Sequence, residues 1–132
     1  MATLNDMNSE ELDAYIGIMT MQKLAHRTAT DAGWYIDPTT LLPKEINFGE
    51  RVALMHTELS EALEADRKNL MDDKLPHRPG VEVEFADCII RILDTAAFLG
   101  LDVAGAVIEK NRYNQHRDDH KVENRANGGK KY

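Results

Sequence analysis

Glu58 and Glu61 stand three residues apart in a run of strong helix formers, so both carboxylates project from one helix face. Glu84 and Asp87 repeat that spacing after twenty-two intervening residues. If the two helices pack antiparallel, four carboxylates converge. Like charges in one site repel, and hard, oxygen-seeking cations such as Mg²⁺ or Mn²⁺ relieve the repulsion and can hold a phosphate-bearing substrate. Paired acids on a helix are also common as plain solvated surface. The residues around the second pair weigh against that reading. Phe85, Ala86, Cys88, Ile89, Ile90, Ile92 and Leu93 make their helix apolar over most of its circumference, the pattern of a buried helix. Glu84, Asp87, Arg91 and Asp94 then form a narrow polar stripe, and buried acids need partners.

Lys110, Asn114 and Arg117 fall at i, i+4 and i+7 of a later helix. They read as a solvated basic face or, beside the acids, as ligands for phosphate oxygens. Trp34 and Tyr35 can stack on a base or pack as core aromatics. His116 and His120 have the i, i+4 spacing of zinc ligands but no third ligand nearby. His26 is either a satisfied histidine or one that reaches a base or ribose, and Cys88 reads as a small buried hydrophobe.

The elements that must position these groups are helical. Asn8-Ser9 caps a first helix through Leu12, Tyr15, Ile16, Met19, Leu24, Ala25 and Thr28, ending near Gly33. Asp37 to Phe48 carries two prolines and reads as an extended connection. A second helix spans about 49–70 and a third about 81–99, with Gly100 at its C-cap. Asp102 caps a fourth helix running to His120, and 118–132 reads as a polar, mobile tail. Four amphipathic helices with short connections predict an all-α four-helix bundle, in a single domain over 1–132.

Composition agrees with that picture and removes several functions. The 132 residues suit one domain with a real core, and 23 acids against 16 bases give a net charge of −7, unsuited to tight nucleic-acid binding. A single cysteine excludes an internal disulfide framework and a Cys-rich zinc site. The opening MATLNDMNSEELDAY lacks a basic region followed by an apolar run, and no stretch approaches the ~20 apolar residues of a membrane span. A reducing, cytoplasmic setting is the expectation.

Glu58-Leu59-Ser60-Glu61 followed by Glu84-Phe85-Ala86-Asp87 resembles the E-x-x-E…E-x-x-D pattern of the all-α nucleoside triphosphate pyrophosphatases. That superfamily includes MazG-like proteins, dimeric dUTPases and phosphoribosyl-ATP pyrophosphatases. Lys110…Tyr113-Asn114…Arg117 is similar to the K…YN..R run of the MazG-like members, and Asn127-Gly128-Gly129-Lys130-Lys131 resembles their HGGKK tail. The segment Ala32-Gly33-Trp34-Tyr35 is a weaker likeness. Thr57 departs from the pattern, standing where many members begin E-E-x-x-E, and Asn127 stands where His is usual.

The resemblance implies hydrolysis of a (deoxy)nucleoside triphosphate to the monophosphate and pyrophosphate. Glu58, Glu61, Glu84 and Asp87 would hold two or more Mg²⁺ (or Mn²⁺), with Glu58 or Glu61 accepting the proton of the attacking water. Lys110, Asn114 and Arg117 would meet the phosphates, with Trp34 on the base. A homodimer or homotetramer is implied as well. A dUTPase-like enzyme, a nucleotide- or metal-binding module without turnover, and a structural bundle with surface acids are the other readings. A di-iron bundle expects Glu-x-x-His on two helices, which the chain lacks.

Overall fold

The computed structural model describes residues 3–130, and their architecture is all-α. Five α-helices follow one another: α1 Ser9–Asp31, α2 Phe48–Lys68, α3 Gly80–Leu99, α4 Val103–Gln115 and α5 Val122–Ala126. Among the described residues no strand forms beyond two isolated bridges, Ile36 with Pro43 and Met71 with Pro79. None of these helices is long and apolar enough to cross a membrane.

Local sequence signals set the ends. The Asn8 side chain accepts from the Glu11 amide at 2.9 Å while Glu11 accepts from the Asn8 amide at 3.0 Å, a reciprocal capping box that opens α1. Asn47 caps α2 through the Glu50 amide, and Asp102 caps α4 through the Gly105 amide. At the other ends, Asn69 closes α2 and Gly100 closes α3 in the left-handed conformation, so both donate back to carbonyls of the last turn.

The chain forms two compact units: Met1–Met19 with Asp102–Tyr132, and Thr20–Leu101. In the second, α2 and α3 form an antiparallel pair: Ala65 approaches Gly80 at the shared loop, and Met55 meets Cys88 further along. A side chain on Gly80 would come within 2.9 Å of the Ala65 Cβ and 3.2 Å of the Leu70 carbonyl, so only glycine allows this approach. The buried residues of α2 are Glu58, Ala62 and Ala65, at i, i+4 and i+7. One acid thus shares the packing seam with two alanines.

Two expectations change. The apolar girth of α3 is not enclosed: Cys88, Leu93 and Ala96 are buried, but Phe85 is 51% exposed and Ile89 52%. A helix apolar on every side needs neighbours on every side; the described residues supply them around 93–96 and leave the sides of Phe85 and Ile89 open. The fourth helix ends at Gln115, before His120, and Arg117 already has extended backbone. The stretch 118–132 holds a 3₁₀ turn at Asp118–His120 and helix α5, with Lys131 outside the described residues.

Candidate metal and nucleotide site

Glu58, Glu84 and Asp87 each present a carboxylate oxygen, all within 4.8 Å of one another. The antiparallel seam brings this about, because Glu58 on α2 and Glu84 on α3 both lie where the helices touch. Glu58 is only 6% exposed. Burial, hydrogen bonding to Glu58 and the charge of Glu61 push the Glu84 carboxyl up to about 7, where it stays half-protonated near neutrality. Burial raises Asp87 too, with the Glu58 charge adding and the Arg91 charge opposing. An all-carboxylate donor set of this kind fits Mg²⁺ or Mn²⁺ in the chemistry of its oxygens, and a divalent ion would release the proton that the cluster retains. Glu61 is exposed and acts on Glu84 without joining the closest three.

One cation is bonded into this cluster among the described residues. Arg91, four residues after Asp87, donates from Nε to Glu58 Oε1 at 2.5 Å. The Thr57 hydroxyl turns back to the Leu54 carbonyl at 2.6 Å and contributes nothing to the acids.

A cavity of about 730 Å³ adjoins the acids within the same unit, bordered by Trp34, Asn47, Arg51, Asp87, Arg91 and Asp94 among others. Trp34, 68% exposed, is therefore a wall of the cavity and not a core aromatic. Tyr35 behaves differently: its ring stacks on Phe98 at 4.8 Å and its hydroxyl donates to Asp94 Oδ1 at 2.6 Å. Asp94, 8% exposed, also bonds His26 Nδ1 at 2.9 Å and accepts from Arg51 Nη1 at 3.3 Å. The same Nη1 reaches Thr95 Oγ1 at 3.2 Å, and the guanidinium lies 4.9 Å from the Tyr35 ring centre. Two members of one polar stripe thus meet different fates. Asp87 faces other acids, and Asp94 is satisfied by three donors from three segments. Burial and the Asp94 carboxylate hold the Tyr35 phenol well above its usual range, so it remains a donor.

Sequence spacing alone did not single out Arg51 or Asn47, because nothing in 47–51 marks a residue that will meet α3 and a cavity. Lys110, Asn114 and Arg117 belong to the other compact unit. Lys110 sits 4.6 Å from the Tyr113 ring centre, and the Asn114 Oδ1 is buried without a hydrogen-bond partner. Arg117 leaves the helical face and is committed to Asp119 through bonds of 2.8 and 2.5 Å. His116 and His120 lose their helical register at the same break, and the only group of three or more potential ligands among the described residues is the acidic triad. No protein-family model, curated protein or solved structure matches the chain.

Proposed function

We propose that this protein is a Mg²⁺- or Mn²⁺-dependent nucleoside triphosphate pyrophosphohydrolase, converting a (d)NTP to the (d)NMP and pyrophosphate. The observation that carries the reading is the convergence of Glu58, Glu84 and Asp87 beside a nucleoside-sized cavity walled by Trp34 and two arginines. A divalent ion there would neutralise the triphosphate and activate the attacking water. Glu58, Glu84 and Asp87 would hold the ion, and Glu61 would join them if a second ion is bound. Glu61, exposed and next to Glu84, is also the acceptor for the water's proton. Trp34 offers a face on which the base stacks. By the resemblance alone, Lys110, Asn114 and Arg117 are the candidate phosphate ligands, and Arg117 would have to exchange Asp119 for the substrate.

The exposed apolar residues of α2 and α3 (Leu59, Leu63, Phe85, Ile89 and Ile92) support assembly into a homodimer or homotetramer of four-helix-bundle type. Light scattering on the purified protein measures that state, and a monomer at micromolar concentration rejects it. The reaction itself is tested by incubating the protein with Mg²⁺ and a panel of ribo- and deoxynucleotides. Pyrophosphate and a nucleoside monophosphate are the expected products. Inorganic phosphate with a nucleoside diphosphate overturns the reaction class, and binding without turnover favours a module that only holds nucleotide, the outcome Thr57 would explain.

A further inference from the structure

Glu58 is an acid in a helix–helix seam, with two alanines as its buried neighbours along α2 and two more acids within ligand distance. A carboxylate so placed loses water partners on that side, and a cation against it offsets the loss. That cation is Arg91, whose Nε–H lies 2.5 Å from Glu58 Oε1. Arg91 is not sealed in the seam. Its side chain is about half exposed and borders the same cavity as Asp87. One residue therefore touches the most buried acid and reaches the open space beside it.

A guanidinium on Glu58 and a divalent ion on Glu58, Glu84 and Asp87 would bring like charges to one carboxylate. Such neighbours exclude one another. We propose that Arg91 is the resident counter-cation of the acid cluster: it holds Glu58 in the metal-free protein and is displaced towards the cavity by the divalent ion. The inference rests on the reading of the triad as a metal site. Its consequence is an order of events. Loading the metal frees a planar, permanently charged donor group at the cavity edge, suited to the oxygens of an anionic substrate. By linkage, a ligand that engages the freed guanidinium also tightens the metal. Arg91 is thus a positioning residue whose two placements distinguish the metal-free from the loaded site.

Mn²⁺ titrations of the full chain, followed by electron paramagnetic resonance, compare the wild type with Arg91→Gln and Arg91→Lys. Removing the competing charge should tighten Mn²⁺ binding by roughly tenfold in Arg91→Gln, the size of one coupling within a shared charge network. Arg91→Lys, which keeps the charge, should bind Mn²⁺ like the wild type. A purely structural arginine predicts the opposite for Arg91→Gln, weaker metal binding in a less stable protein. A second measurement needs no folded variant. In the wild type, the Nε–H resonance of Arg91 should lose its strong hydrogen-bond deshielding as Mg²⁺ saturates the site. Unchanged or weaker Mn²⁺ binding in folded Arg91→Gln, or an Nε–H signal indifferent to saturating Mg²⁺, overturns the displacement while leaving the metal site standing. A wild type that binds no divalent ion overturns both.

Discussion

Glu11 near the start of α1 and Glu84 near the start of α3 are the same side chain in two compact units, and their surroundings drive them in opposite directions. Arg112 donates to both Glu11 oxygens at 2.7 Å, and the Asn8 amide adds a third bond, so the Glu11 carboxyl falls to about 2. Arg112 also reaches the Asp6 carbonyl at 2.7 Å, tying the N-terminal turn to α4 within that unit. Asp119 repeats the pattern, held near 2 by the Arg117 guanidinium. Glu84 instead meets burial, Glu58 and Glu61, and rises to about 7. Glu11 and Asp119 each lie against an arginine of their own unit. Glu84 lies among acids, and the one arginine bonded into that cluster, Arg91, is on Glu58.

The sharpest way to break this contrast is to neutralise one acid in each unit and measure turnover. Glu84→Gln should lower Mg²⁺-dependent pyrophosphate release by about 100-fold or more, an effect of the size seen when a group stabilising transition-state charge is lost. Helical circular dichroism should persist. Glu11→Gln should lower the melting temperature and leave the kcat of the folded protein intact. Equal losses of activity would erase the distinction between the regions. Between these extremes, Trp34→Ala should raise KM by about tenfold at similar kcat, because a stacking face contributes on the order of 1 kcal/mol to binding.

Stability gives a third comparison. Mg²⁺ at a hundredfold excess over its dissociation constant stabilises the native state by about 2.7 kcal/mol. In a chain of 132 residues that is on the order of ten degrees in melting temperature. Calorimetry should show that shift in the wild type and in Glu11→Gln, and lose most of it in Glu84→Gln. NaCl at matched ionic strength should give far less, since screening is not coordination.

The smallest expected effect is in the pH dependence, where the two acids have opposite signs. Glu84 has a folded pKa raised from 4.5 to about 7, so the folded state binds the extra proton. Its contribution to metal-free stability is complete below 4.5 and is lost as pH rises through 7. Glu11 has its folded pKa lowered from 4.5 to about 2, so its contribution is present above 4.5 and is lost as pH falls through 2. Thermal melts of Glu84→Gln should lack the neutral-range decline, and those of Glu11→Gln should lack part of the acid-range one. A neutral-range decline that survives in Glu84→Gln would assign it to another group.

Much of this was legible in the residues because it depends on neighbours along the chain. Caps at Asn8, Asp102 and Gly100 act within one helical turn, and the spacing of Glu58, Glu61, Glu84 and Asp87 places them on helix faces by periodicity alone. An all-α architecture follows from such signals. The tertiary structure decided what those signals leave open. It separated Asp87, left among acids, from Asp94, satisfied by Tyr35, His26 and Arg51, although both share one polar stripe. It ended α4 at Gln115, so Arg117 left the helix and paired with Asp119. It left the apolar girth of α3 partly open. Periodicity fixes the direction in which a side chain points, but the energy of a charge depends on which groups from distant segments stand within a few ångströms of it, and only the packed chain sets those distances.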